Sequence, residues 1–130
     1  MSGSVGYHAG LAAEDIVARQ YQGRNLVLAA TRWRGKAGEI DLIMRDGAQV
    51  IFVEVKKSAT FARAATRLSR KQMDRLVAAG GEFLSGEPKG QLTDVRFDLA
   101  MVDGRGEVQT MENAFAEAKP VDRFRVQKKK

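Results

Sequence analysis

The segment GEIDLIMRDGAQVIFVEVKK, residues 38–57, constrains the fold more than any other part of the chain. Apolar residues alternate with other residues on both sides of Asp46-Gly47, a pair typical of a two-residue type I′ turn. With that turn, Asp41 lies opposite Phe52. The segment therefore predicts an antiparallel hairpin whose two strands are apolar enough to lie at the centre of a sheet.

The alternation gives this hairpin two different faces. One face is wholly apolar and consists of Ile40, Leu42, Met44, Ile51, Val53 and Val55. The other face is apolar near the turn but carries Asp41, Glu54 and Lys56 at the far end. Because both strands should be central, we expect this second face to be covered as well, by the first helix of the chain.

Asp41 and Glu54 are predicted to be diagonal neighbours, about 7–8 Å apart at the backbone. Two carboxylates this close repel, and one is held protonated unless a divalent cation binds both. Hard oxygen ligands of this kind suit Mg²⁺ or Mn²⁺. The alternative is a solvated sheet face on which the acids pair with Arg and Lys side chains.

The rest of the pattern predicts an α/β domain in the order α-β-β-β-α-β-β, with a mixed central sheet of about five strands flanked by helices. The first helix is expected over about residues 7–22, ended by Gly23. The second begins near Ser69, where Gln72 completes a capping-box pattern. Residues 58–68 are expected to form an irregular, partly mobile connection. The strands outside the hairpin are predicted at residues 25–33, 94–102 and 107–111.

Composition supports one domain, residues 1–117 with a loose segment at 1–6, followed by a disordered basic tail at 118–130. The chain has 22 Lys and Arg against 16 Asp and Glu, a net charge of +6 that favours a nucleic-acid partner. The tail is either a solubilising end or a nucleic-acid arm. With no cysteine, no signal-peptide pattern and no membrane-spanning run, a cytoplasmic location is expected.

Glu14 lies in the middle of the apolar face of the first helix, at about 100° per residue. A lone carboxylate there is costly unless something pairs with it. Two partners are possible: a buried Arg or Lys, or the acidic cluster of the hairpin.

Three basic residues, Arg32, Arg34 and Lys36, flank the connection between the first two strands. They are candidates for contacts with a phosphate backbone, and a solvated loop is the alternative. Trp33, between them, is expected to belong to the core rather than to stack on bases. Asp98 shares a strand face with an arginine and is expected to form a structural ion pair.

Asp41, followed on the next strand by Glu54-Val55-Lys56, resembles the PD-(D/E)XK nuclease signature. The wider order of GEIDLI, FVEVK, SRKQ, RFDLA and ENAF, after a helix with Glu14, is similar to the YraN-like family of small bacterial proteins. The similarity extends over about residues 9–115. It implies a restriction-endonuclease-like fold and a relationship to archaeal Holliday-junction resolvases.

That resemblance implies a metal-dependent endonuclease that uses Mg²⁺ or Mn²⁺ and acts on DNA, such as branched or damaged DNA. Asp41, Glu54 and Glu14, with the Val55 carbonyl, would be the metal ligands. Lys56 would orient or activate the attacking water. Resolvases also suggest a homodimer and no membrane association.

The resemblance places Lys71 and Gln72 at the start of the second helix, facing the scissile phosphate. The sequence departs from the family at Ser58 and Ala62, where Arg and Gly are usual. Arg63 or Arg67 could substitute for the missing phosphate contact. The alternative function is a non-catalytic nucleic-acid-binding or scaffolding protein that retains the nuclease fold.

Overall fold

The computed structural model describes the backbone of residues 2–115 and the side chains of residues 12–115. The helices are α1 (Ser2–Gly23), α2 (Phe61–Ala65) and α3 (Arg70–Leu84), and a short 3₁₀ turn covers Gly90–Leu92. The strands are β1 (Val27–Arg34), β2 (Glu39–Asp46), β3 (Gln49–Lys57), β4 (Val95–Val102) and β5 (Val108–Met111). The predicted tail, residues 118–130, lies outside the described residues.

The five strands form one mixed sheet in the order β1-β2-β3-β4-β5. Neighbouring strands are antiparallel except β3 and β4, which are parallel and are joined by a crossover that carries α2 and α3. The predicted α/β architecture and element order are therefore confirmed. Within the described residues, no helix combines the length and apolar character needed to cross a bilayer.

The short helix α2 replaces the irregular connection that the sequence predicts before α3. The Thr60 hydroxyl accepts the backbone N–H of Arg63 at 3.2 Å and caps the helix. Ala64 is fully buried and packs with Leu99 and Met101 of β4. Phe61 and Ala65 are partly buried against the same cluster, so contacts with β4 hold a helix whose sequence shows almost no apolar periodicity.

The hairpin turn differs from the predicted one. Asp46 pairs with Gln49, so Gly47 and Ala48 are the central residues of the turn. Gly47 has φ +60° and Ala48 has no positive φ, as in a type II′ turn with glycine at the first central position. The prediction of a type I′ turn centred on Asp46-Gly47 is wrong.

This register moves each strand partner by two residues, so the side chains of the paired residues 42–46 and 49–53 keep their predicted faces. The last pair of the β2–β3 ladder is Leu42 with Val53. Asp41 and Glu54 are the next residues along the two strands, and their carboxyls lie within hydrogen-bonding reach of each other. The prediction that Asp41 lies opposite Phe52 and diagonal to Glu54 is therefore wrong, because Phe52 pairs with Ile43. The two acids are closer to each other than that prediction implies.

Each face of the sheet is covered by a different helix. The apolar hairpin face packs on α1 through Ala13, Val17, Ala18 and Tyr21. The face that bears the acids is covered by α3, not by α1 as predicted, because Phe52 and Ile43 pack against Leu76 and Ala79. The crossover to a parallel β4 returns α3 to the side of the sheet that α1 leaves open.

Helix α1 starts at Ser2, earlier than the predicted Tyr7, and ends at Gly23. Its left-handed C′ residue is Asn25, with φ +70°, rather than Gly23 as predicted. The N–H of Asn25 donates to the Gln22 carbonyl at 2.9 Å, and the N–H of Leu26 donates to the Tyr21 carbonyl at 3.2 Å. These two bonds form a Schellman motif, in which asparagine can replace glycine.

Candidate active site

The acids of the hairpin form one side of an open cavity of about 330 Å³ at the end of β2 and β3 that lies away from the turn. Asp41 and Glu54 lie on the sheet side of this cavity, and Gln72 and Arg75 of α3 lie on the helix side. The connection between β1 and β2 closes it through Ala37 and Gly38. The fold thus brings residues from four separate segments to one solvent-accessible site.

Asp41 occupies the point where the β2–β3 ladder ends. Its Oδ2 accepts the backbone N–H of Val55 at 2.8 Å, replacing a main-chain partner. The strand alternation breaks here. The alternation predicts that Ile40 packs on the same side of the sheet as Leu42, but Ile40 packs with the core residues that contact α3. Arg32, on the neighbouring strand, has φ +51°, which places a second irregularity beside Asp41.

Glu54 is almost fully buried, with 6% of its surface exposed, and lies within hydrogen-bonding reach of the Asp41 carboxyl. Burial, then the negative charge of Asp41, raises the pKa of Glu54. Burial also raises the pKa of Asp41, although the Val55 N–H opposes the effect. Two buried carboxyls in contact favour either a bound proton or a bound cation between them.

Two side chains compensate the charge of Glu54. The Lys56 Nζ lies 3.1 Å from Glu54 Oε2. The Gln72 Nε2 donates to the same oxygen at 2.9 Å. Ser69 caps α3 by accepting the Gln72 backbone N–H at 3.0 Å, as predicted, but the Gln72 side chain turns into the site instead of completing a capping box.

Glu14 reaches the acidic cluster from α1, across the end of the sheet. Its carboxyl lies within hydrogen-bonding reach of Asp41 and 3.9 Å from the Arg32 guanidinium. Burial, then the charge of Asp41, raises the pKa of Glu14 to about 7, while Arg32 opposes the rise. The sequence left two partners open for Glu14, a basic residue or the acidic cluster. The structure places both next to it, as Arg32 and Asp41.

A Glu14→Gln variant is expected to stabilise the metal-free protein at alkaline pH. The raised pKa of Glu14 contributes stability that is complete below its ordinary value of 4.5 and is lost as the pH rises through about 7. A permanently neutral Gln avoids this loss, so the gain in unfolding free energy should be about 1–2 kcal/mol at high pH, allowing for solvent screening.

Urea titrations in EDTA at about pH 5 and about pH 8 would measure this difference. The matched control is Asp15→Asn, at an exposed carboxylate that pairs with Arg19 on the next turn, at 3.0 Å. That control should change stability by less than about 0.5 kcal/mol at either pH. A Glu14→Gln effect that does not grow with pH would contradict the prediction.

The predicted phosphate-binding residues lie in different surroundings. Arg34 is exposed and 3.5 Å from Glu39 of the neighbouring strand. Lys36 is exposed on the β1–β2 connection, and Lys71 is exposed on α3 but does not line the cavity. Arg32 is half-buried beside Glu14. Gln72 is the member of this set that hydrogen-bonds to Glu54, and Arg32 is the one that pairs with Glu14.

Trp33 belongs to the core, as predicted. Its ring meets the ring of Phe83 on α3 edge to face, at a centroid distance of 5.5 Å. Asp98 is likewise structural: it is fully buried, accepts the Tyr21 hydroxyl at 2.7 Å and forms an ion pair with Arg96 at 2.8 Å. The expectation of a structural ion pair at Asp98 is confirmed.

Glu82 and Arg75 of α3 were not identified from the sequence. The two carboxylate oxygens of Glu82 accept the backbone N–H groups of Lys36, at 2.6 Å, and of Ala37, at 2.9 Å. This contact fixes the β1–β2 connection against α3. The sequence gives only a weak signal for this contact: a glutamate near the end of α3 and a glycine-containing loop between β1 and β2.

Gly35→Ala is expected to destabilise the protein by about 1–3 kcal/mol, the usual cost of overpacking. An added Cβ would overlap Glu82 Oε1 and come within 2.9 Å of Trp33 Cζ3. Gly23→Ala is the control, because an added Cβ there meets nothing within 4 Å. Thermal melts of both variants test this, and equal melting temperatures would contradict it.

The donor chemistry of the cluster fits a hard divalent cation. Asp41, Glu54 and Glu14 supply carboxylate oxygens, and the mutual contacts of these groups raise the cost of leaving them all ionised. As placed, no group of three or more His, Asp or Glu side chains among the described residues has the arrangement of a formed metal site. Lys56 and Gln72 both contact Oε2 of Glu54, so a cation at this carboxylate would lie beside these two side chains.

The five-stranded mixed sheet, with an aspartate on β2 and a Glu-Val-Lys run on β3 beside a covering helix, defines a single-domain α/β protein with an acidic site at the strand ends. The model of the uncharacterised protein family UPF0102 matches residues 13–102. The chain belongs to this family, which is the YraN-like family indicated by its motifs.

Relatives in the family are similar over most of their length. A UPF0102 protein of Cereibacter sphaeroides strain KD131 is 62% identical over 116 residues, covering 89% of this chain and 99% of the relative. A UPF0102 protein of Ruegeria pomeroyi is 56% identical, covering 87% and 92%. One from Roseobacter denitrificans is 53% identical, covering 89% and 90%.

Proposed function

We propose that the protein is a metal-dependent nuclease that hydrolyses phosphodiester bonds of DNA. The observation that carries this proposal is the contact between Asp41 and Glu54, with Lys56 at 3.1 Å, beside a cavity of about 330 Å³ that opens to solvent. A buried pair of acids with an adjacent lysine has no stabilising purpose that apolar residues would not serve better. Two carboxylates and a lysine at one point suit a reaction in which a divalent cation and a negatively charged phosphodiester bind together.

In this proposal, Asp41, Glu54 and Glu14 would hold Mg²⁺ or Mn²⁺, with the Val55 carbonyl as a further ligand. When bound, the ion would neutralise charge on the phosphate and favour ionisation of a water molecule. Hydrolysis forms a bond between the water oxygen and phosphorus and breaks one ester P–O bond, and the leaving oxygen takes a proton from solvent.

The chain itself would contribute orientation and charge stabilisation. The Lys56 ammonium, 3.1 Å from Glu54, would hold the attacking water and stabilise the negative charge that develops on the phosphoryl oxygens. Gln72, which donates to Glu54 at 2.9 Å, would donate its second amide hydrogen to a phosphate oxygen. These roles use groups that already contact one another.

Binding of the polyanion is supported by charge. The net charge of +6 attracts nucleic acid over the whole molecule. Exposed Arg34 and Lys36 flank the cavity, so they are placed to contact phosphates outside the reacting one. Branched or damaged DNA is the favoured substrate through the relationship to junction resolvases, which also favours a homodimer on two-fold symmetric DNA.

The test is a cleavage assay on linear, nicked, flapped and four-way DNA with Mg²⁺ or Mn²⁺, with Asp41→Asn purified in parallel. Cleavage by the parent that is absent with EDTA and with Asp41→Asn is the expected result. Equal cleavage by both preparations would identify a contaminating nuclease. If no DNA is cut but DNA is bound, the non-catalytic binding protein replaces the nuclease as the proposed function.

A further inference from the structure

Two charged residues of α3, Arg75 and Glu82, lie on one stripe of the helix because they are seven residues apart, close to two full turns. The proposed mechanism uses neither of them. The direction of this stripe is fixed by Glu82, whose carboxylate accepts the N–H groups of Lys36 and Ala37 at 2.6 and 2.9 Å. The stripe therefore faces the β1–β2 connection and the cavity beside it.

Arg75 lies on this stripe at the level of the cavity. It is exposed, lines the cavity with Gln72, and follows Gln72 by one helical turn. Among the described residues that line the cavity, Arg75 is the cationic one. The remaining charged members, Glu39, Asp41 and Glu54, are acidic.

The surroundings of Arg75 differ from those of the other arginine on this helix. Arg70 lies 3.7 Å from Asp74 in an exposed i,i+4 pair. Within residues 12–115, no carboxylate oxygen lies within 4.0 Å of the Arg75 guanidinium. Its guanidinium is thus presented at the cavity mouth, above an acidic site, without a carboxylate that neutralises it.

We propose that Arg75 forms a binding subsite for a phosphate of the substrate DNA next to the scissile one, with Glu82 holding the opposite side of the cavity in place. This inference rests on the proposed nuclease function and assigns a second phosphate position in the same active site. A guanidinium can bind two phosphate oxygens at once, which fixes the orientation of the backbone as well as its distance. Glu82 acts indirectly, by accepting the N–H groups of Lys36 and Ala37 and so holding the connection that lines the cavity.

The test is the affinity of Arg75→Ala, Arg75→Lys and Arg70→Ala for a short DNA duplex in Ca²⁺, measured by fluorescence anisotropy over a range of salt concentrations. Arg75→Ala should bind about tenfold more weakly, and the slope of log affinity against log salt should fall by about one. Arg75→Lys should recover part of the affinity, because lysine keeps the positive charge but lacks the paired N–H donors of the guanidinium. Arg70→Ala removes the same charge from the same helix and should change affinity less than about twofold.

The outcomes separate this inference from the proposed function. Equal losses for Arg75→Ala and Arg70→Ala, with a parent that binds and cuts DNA, would overturn the subsite and leave the nuclease intact. A parent that binds without cutting, together with a specific Arg75→Ala loss, would support the subsite and overturn catalysis. A parent that binds no DNA in Ca²⁺ would overturn both.

Discussion

Replacing Glu54 by Gln is expected to abolish divalent-cation binding and DNA cleavage together. Gln keeps the shape and the contact with Gln72 but removes one negative charge from a site built of few carboxylates. The loss of cation affinity should exceed the roughly 10–100-fold cost of losing a residue that only supports a ligand. Calorimetry with Mn²⁺ and a cleavage assay on the same preparation would measure both effects.

The matched control is Glu39→Gln, because Glu39 lines the same cavity but pairs with Arg34 at 3.5 Å. It should bind Mn²⁺ within about twofold of the parent. Retained cation affinity in Glu54→Gln would contradict the assignment of Glu54 as a ligand. Equal loss in both variants would instead indicate a diffuse electrostatic effect of the cavity.

The stability of Glu54→Gln distinguishes a lost ligand from a damaged fold. Burial and the charge of Asp41 raise the pKa of Glu54 above its ordinary value of 4.5, so the ionised group opposes folding increasingly as the pH rises. A neutral Gln removes that penalty. The metal-free variant should therefore be at least as resistant to urea as the parent at about pH 8, while it fails to bind the ion.

Replacing Lys56 by Ala is expected to separate binding from turnover. The change removes a positive charge 3.1 Å from Glu54, so cation affinity should be retained or increase. Cleavage should fall by about 10²–10³-fold, the usual cost of removing one group that stabilises charge in the transition state. DNA affinity in Ca²⁺ should stay close to that of the parent, because one lysine is a small part of a net charge of +6.

The control for this variant is Lys57→Ala, which removes the same charge from the next, exposed position of β3. It should cleave DNA at close to the parental rate. A Lys56→Ala protein that cuts normally would exclude Lys56 from the chemistry. A variant that neither binds the ion nor cuts would show that Lys56 supports the site structurally rather than acting on the substrate.

Local patterns in the sequence were sufficient for the parts of the fold that depend on neighbouring residues. The alternation of the hairpin gave the apolar and acidic faces, and Ser69 gave the start of α3, since caps and strand faces are set within a few residues. The same patterns missed α2, which is held by packing Phe61, Ala64 and Ala65 against β4 and not by its own periodicity.

The strand register is the clearest case of what the alternation could not reveal. Side chains repeat every two residues along a strand, so a shift of two leaves every face unchanged. Asp41 opposite Phe52 and Asp41 opposite Glu54 therefore give the same pattern of faces. Only the tertiary structure, through the Gly47-Ala48 turn, selects the arrangement in which the two acids meet.

The sequence by itself determined which residue types are available for chemistry: a hairpin that carries Asp41, Glu54 and Lys56 on one face, and an acid, Glu14, on an apolar helix face. Only the tertiary structure decided which elements complete the site. It placed α3 over the acids, brought Glu14 around the end of the ladder to Asp41, and gave Arg75 a cavity to face. These contacts join segments that are far apart in the chain, and their distances depend on how helices pack on the sheet, which no local pattern encodes.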